Sequence, residues 1–286
     1  MTRLDLPNAA AKLARAVLYR DASTRSAALI RIGLVAIVWT RFADLLVLSD
    51  HVRDGLWPFS IVFYVVSTLA CVGLWTRVSM LALAASLVFL MYYVGHVLRV
   101  YSNTHHHVQL LVWATVWLAF TPCGVSYSID RWRAVRRAAR RGEPPPLERA
   151  NMWALRLVAL QVSSVYFWTA LDKSHLGYFS GERIAHLWMY YYAGSDPVGD
   201  IPLLRALFHV LGPSVVLLEL SLALGLWFTR TRKWLVVPGL VLHGAFYALL
   251  HISTFTATMW LLYLAFFDPD EVHRTVDELS GVRTLA

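Results

Sequence analysis

LRLVALQVSSVYFWTALDKSHLGYFSG, residues 155–181, begins as a membrane span and ends by delivering a lysine, Lys173, to the edge of the bilayer. Between Arg156 and Asp172 no residue is charged. A cation at a membrane edge is costly, and such residues are functional candidates by default. At helical spacing, Gln161, Val165, Trp168 and Asp172 share one face, and Val162, Tyr166, Thr169 and Lys173 share another. The second face lines up a phenol, a hydroxyl and an amine. It reads either as a polar seam packed into a helix bundle or as the wall of a reaction pocket.

The surrounding composition sets the class. Of 286 residues, 58% are hydrophobic and only 15% are charged, whereas soluble domains are about 45–50% apolar. Mean hydropathy is +0.53. The chain therefore reads as all-α, a polytopic transmembrane helix bundle with interfacial helices. The formal charge of +8 invites a nucleic-acid partner, but nothing resembles a nucleic-acid module and membrane topology explains the charge. Cys71 and Cys123 form no CxxC and define no disulfide framework. No cleavable signal peptide is legible in the first 26 residues, which carry Arg3, Lys12, Arg15, Arg20 and Arg25 without an apolar core of signal length.

Taken in order, residues 1–26 form a basic interfacial segment, with a short amphipathic helix over 8–20. The transmembrane domain spans 27–268, and 269–286 is a short polar cytoplasmic tail. Eight spans are expected, near 27–47, 59–76, 78–98, 105–121, 150–172, 209–229, 234–252 and 254–267. In the first, Arg41 and Asp44 are spaced to pair, and Arg31 lies near the inner end, where it can snorkel. Pro122 and Gly124 end the fourth span. Ser128–Arg141 reads as an interfacial helix set against anionic headgroups. Residues 174–208 are the longest connection, with an aromatic run at Leu187–Tyr192.

Eight spans put both termini on one side. The N-terminal segment, residues 125–149, residues 230–233 and Arg77 carry sixteen basic residues, and the opposite loops and span ends carry five. The positive-inside rule makes both termini cytoplasmic. His96, His105, His106, His107, Lys173 and His251 then fall at the outer ends of their helices. His243, Tyr247 and His251 share one face of the seventh span. Convergence of these groups into one extracytoplasmic cavity is the expectation; the alternative is that interfacial histidines merely prefer headgroups.

A lysine buried in low dielectric tends to lose its proton, and a neutral amine is a general base. Neighbouring histidines relay protons or hydrogen-bond an anion. Tyr92, Tyr93, Tyr166, Trp168 and Phe179 suit a flat apolar ring, such as a membrane quinol. A metal or haem site on His105, His107 and His251 is disfavoured, because adjacent helical histidines point apart and no carboxylate or cysteine joins them.

The pattern SNTHHH at 102–107, YSID at 127–130, then LQVSSVYFWTALDK and GYFSGE, is similar to the HTTM domain, the transmembrane domain shared with vitamin K-dependent gamma-glutamyl carboxylases. ELSLALGLWFTRTR and VLHGAFYALLHISTFT extend the resemblance, which covers most of residues 25–270. It implies a reduced quinone, vitamin K hydroquinone or menaquinol, as cofactor. It also implies Lys173 as the base on that quinol, His105 at the position of the family's asparagine–histidine pair, with Thr104 between Asn103 and it, and His243 as a matching later histidine. Tyr166, Gln161, Asn103, His106, Tyr247 and His251 are the candidate binding residues. Asp172 stands where the carboxylases have a second lysine.

The resulting expectation is a quinol-dependent oxygenase or carboxylase-like enzyme of the plasma membrane, a bacterial inner membrane. It couples quinol oxygenation to modification of another substrate, with a small peptide as one candidate partner beside the lipid bilayer and the quinol. The alternative is a non-enzymatic membrane partner for maturation, export or immunity of a small secreted peptide.

Overall fold

A computed structural model describes residues 19–50, 55–101, 104–193 and 201–281. The expected basic helix at 8–20 lies almost wholly outside the described residues, as do Asn103 and the stretch 194–200. Among the described residues the fold is all-α apart from one pair of three-residue strands. It divides into two compact units, residues 1–158 with 267–286, and residues 159–266.

The first unit opens with β1 (Asp21–Ser23) and α1 (Arg25–Ala43), the latter continuing as a wider turn through Leu48. Then follow α2 (Trp57–Val72), α3 (Thr76–Phe89, continuing as a wider turn to Val97), α4 (His106–Ala119) and α5 (Ile129–Arg141). β2 (Arg149–Asn151) pairs antiparallel with β1, Ala22 opposite Ala150. Consecutive helices from α1 to α4 pack on one another. Their core is aliphatic and aromatic, with Ile30, Leu34, Phe42, Phe63, Leu83 and Leu111 fully buried.

Arg31 corrects the sequence reading. It does not snorkel; it is fully buried and donates to the carbonyls of Cys123 and Tyr127 in the turn between α4 and α5. A guanidinium suits this task because its planar fork satisfies several acceptors at once. Gly73, left-handed at φ +66°, closes α2, and a side chain there would collide with Ser128 and the Arg31 guanidinium. Asp130 ties α5 to the start of α3, accepting from the Trp75 and Thr76 amides at 3.0 and 2.8 Å and the Thr76 hydroxyl at 2.7 Å. Burial would raise that carboxyl, but the hydrogen bonds from Thr76 and Trp75 outweigh it and hold the group below its ordinary value.

The polar residues after 268 form a further helix, Pro269–Ser280, N-capped by Asp268. Its acids meet the arginines of the first unit: Arg20 with Asp268 at 2.7 Å, Arg149 with Asp270 at 2.9 Å, and Arg25 with Asp277. Arg25 also pairs with Glu148 at 2.6 Å.

Most of the next helix, α6 (Leu155–Asp172), belongs to the second unit. Two short helices follow, α7 (Leu176–Phe179) and α8 (Glu182–Trp188), then α9 (Pro202–Gly225), α10 (Thr229–Leu250) and α11 (Ser253–Leu262). The Pro269–Ser280 helix is α12. The sixth apolar helix starts at 202 rather than 209. Pro202 sits in its first turn, where no amide partner is needed, and Leu203, Leu204 and Leu207 continue the apolar run. Gly212 lets α9 approach the backbone carbonyl of Tyr178 on α7.

Among the described residues three helices are long and apolar enough to cross a bilayer: Thr76–Val97, Pro202–Gly225 and Thr229–Leu250. Trp57–Val72 is apolar but shorter, below the roughly 20 residues that a perpendicular crossing needs.

A candidate active site in the second unit

The face of α6 anticipated from spacing points inward. Val162 and Tyr166 are buried, Thr169 is half-buried, and Lys173 follows the last helical residue with its amide on the Thr169 carbonyl at 3.1 Å. The Lys173 amine reaches across to Glu219 of α9, with Nζ at 2.7 and 2.9 Å from the two carboxylate oxygens. Glu219 is only 2% exposed and Lys173 20%. Neither charge is tolerable there alone; together, with both oxygens on one amine, each offsets the other's desolvation. Phe246 of α10 lies 5.7 Å from the amine by its ring centre, a cation–π distance.

A second polar group sits beside the pair. His243 of α10 is 1% exposed, and its Nε2 lies 2.6 Å from the Tyr166 hydroxyl. That hydroxyl also meets the hydroxyl of Tyr263, just beyond α11. Gly239 makes room for this arrangement, because a Cβ there would run into Tyr263 Oη. Thr256 of α11 donates to the His243 backbone carbonyl at 3.0 Å. The imidazole is boxed by Phe246 and Phe255, at centroid distances of 5.9 and 5.3 Å. Its Nδ1 is buried and has no hydrogen-bond partner among the described residues. Amine and imidazole thus each lie within 6 Å of the Phe246 ring.

Both groups line one cavity of about 380 Å³, within the usual range for a small-molecule site. Lys173, Glu219, Tyr166 and His243 line it together with Thr169, Asp172, His175, Tyr178 and Arg183; Val165, Ile184, Leu187, Val215, Leu249, Phe246 and Phe255 are among the apolar residues that make up most of its wall.

Of the residues singled out from sequence, Lys173, Tyr166 and His243 come together here. Gln161, three helical turns earlier, stands roughly 18 Å along α6 from Lys173 and does not line the cavity. Tyr247 is 54% exposed, and His251, exposed beyond the end of α10, stacks on Tyr192. Neither lines the cavity. His105 and His106 are exposed at the start of α4 in the first unit, His105 stacked on His107, and neither is among the lining residues. Trp168, two residues from Tyr166 and so on the far side of the helix, is 66% exposed; Phe179 gives way to Tyr178 in the lining.

One element of the expected site changes in kind. The sequence reading faces an uncharged amine with imidazoles; the structure faces it with a carboxylate. Glu219 was legible only as an acid in mid-span. An acid inside a helix of mean hydropathy 1.9 signals a buried cation partner, but the sequence does not say which cation. Tyr263 gave no signal beyond being one aromatic in an apolar span.

Apolar helices that wrap a charged pair and a half-satisfied imidazole around a largely apolar cavity define a membrane protein. The sequence matches the HTTM domain over residues 31–270, and the chain belongs to that family. The domain is a membrane domain associated with vitamin K-dependent carboxylase-like proteins. No curated protein and no solved structure matches the chain.

Proposed function

We propose that the protein is a quinol-dependent membrane enzyme of carboxylase-like type, and that the cavity of the second unit receives the ring of a reduced vitamin K or menaquinone. The observation that carries this reading is the Lys173–Glu219 pair, buried at the wall of an apolar cavity of ring-binding size. The residues fit the ligand. Aromatic and aliphatic side chains suit a flat ring, the pair offers a proton acceptor to a ring hydroxyl, and the unpartnered Nδ1 of His243 offers a polar contact to an oxygen.

When bound, a reduced quinone would supply the four electrons that oxygen takes, two from its hydroquinone and two from the ring double bond, leaving the ring epoxide and one water. The chain's part is to manage protons. Lys173 passes a proton to Glu219, and the freed amine accepts the proton of a ring hydroxyl at Nζ. Glu219 holds the first proton in reserve and returns it when water forms, restoring the pair. Apolar walls exclude bulk water from these transfers. Eight spans, cytoplasmic termini and a cavity near the extracytoplasmic face of the plasma membrane are the topology that goes with this reading.

Purified protein given reduced menaquinone and oxygen should yield the epoxide, and Lys173→Ala should yield none. Absence of epoxide from the wild type with both menaquinol and vitamin K hydroquinone overturns the proposal.

A further inference from the structure

The buried chain Tyr263–Tyr166–His243 contains more hydrogen-bonding capacity than it uses, and counting it fixes the direction of its protons. Two phenols and one neutral imidazole carry three protons. In one arrangement Tyr263 donates to Tyr166, and Tyr166 donates to Nε2 of His243. The imidazole proton then sits on Nδ1, and that N–H is the single unsatisfied donor. In the reverse arrangement Nε2 donates to Tyr166, and Tyr166 donates to Tyr263. Nδ1 is then a bare acceptor, and the Tyr263 hydroxyl is left without an acceptor too, since among the described residues Tyr166 is its one hydrogen-bond partner. Tyr263 is 3% exposed and His243 1%. Unpaired buried polar groups, donors or acceptors, are costly, so the arrangement that leaves one such group prevails over the one that leaves two. Nitrogen basicity agrees, because an imidazole nitrogen accepts more strongly than a phenol oxygen.

We propose that Tyr263, acting through Tyr166, is a positioning residue that holds His243 in the tautomer protonated on Nδ1, so that this N–H donates to an oxygen of the ligand in the cavity. This rests on the ring-binding reading above and adds polarity to it. The Lys173–Glu219 side takes a proton, and the His243 side gives a hydrogen bond. The ligand accordingly carries two oxygens on separate edges of a flat ring, one a hydroxyl donor and one an acceptor. Gly239 serves the same device by admitting the Tyr263 hydroxyl.

The test is the nitrogen-15 spectrum of histidine-labelled protein in lipid nanodiscs, with His243 assigned from the signal missing in His243→Gln. The wild type is expected to show Nδ1 protonated and Nε2 bare. Tyr263→Phe, which keeps the ring and removes the hydroxyl, should give a mixture of the two tautomers. Adding 2-methyl-1,4-naphthoquinone should shift the Nδ1 signal of the wild type, and Tyr263→Phe should bind that probe about fivefold more weakly, the worth of one ordinary hydrogen bond. Nε2 protonated in the wild type, or an unaltered tautomer in Tyr263→Phe, overturns the proposal. So does a bound quinone that leaves Nδ1 unmoved. If the quinone does not bind at all, the ring-binding reading falls, while the tautomer comparison still decides the role of Tyr263.

Discussion

Removing the carboxylate from the Lys173–Glu219 pair has a size that follows from its burial. Glu219→Gln keeps the shape of the side chain and one acceptor oxygen but leaves the Lys173 ammonium without its counter-charge. Breaking a buried pair by deleting one partner costs about 3–5 kcal/mol. Glu219 is 2% exposed, but Lys173 keeps 20%, and the amide still accepts one hydrogen bond, so the lower end applies, about 3 kcal/mol. For a chain near this size that corresponds to a fall in Tm of about 6–12 °C. Lys173→Met, which strands the carboxylate at the more buried site, should cost at least as much. The double variant Lys173→Met/Glu219→Leu removes both desolvation penalties and should recover most of the loss, since replacing both ions with apolar groups is close to neutral. Thermal unfolding in detergent micelles, followed by tryptophan fluorescence, reads all four proteins. A double variant no more stable than either single variant refutes the argument, because the second change should relieve the charge that the first strands. So does a single variant with no measurable shift.

Asp130 sets a pH dependence outside the spans. Its carboxyl is held below the ordinary value by Thr76 and Trp75. Its contribution is therefore complete above the unfolded-state pKa of about 4 and is lost as pH falls through the lower folded value. Asp130→Asn should flatten the acid side of the stability profile while lowering stability at neutral pH, as measured by Tm from pH 7 down to 3. Arg31→Met leaves the Cys123 and Tyr127 carbonyls without their donor and should cost about 3 kcal/mol in the same thermal assay. Gly239→Ala forces its methyl against Tyr263 Oη and should lower stability by about 1–3 kcal/mol. Adding Tyr263→Phe to it should return part of that loss, by removing the atom it meets first.

The apolar helices were legible because each announces itself within its own residues. The runs at 57–72, 76–97 and 229–250 need no partner to be recognised, and neither does the inward face of α6. What escaped were relations between distant residues. Arg31 looked like a cation free to snorkel because the carbonyls it serves are about ninety positions away. The Pro269–Ser280 helix looked like a polar tail because its partners Arg20, Arg25 and Arg149 lie near the other end of the chain or in its middle. The site divides in the same way. Lys173 and Tyr166 share one helix face, so helical spacing alone brings them together. Glu219 enters from a different helix, and only the fold shows that its carboxylate, rather than an imidazole, meets the amine.

The most direct test of the account is where a quinone goes. A photoreactive naphthoquinone, irradiated with the protein in nanodiscs and mapped by mass spectrometry, should label residues within 165–187 and 242–255, the segments that contribute most of the cavity wall. Unlabelled menaquinone should compete that labelling away. Labelling that misses both segments, or that persists undiminished under excess menaquinone, contradicts the account.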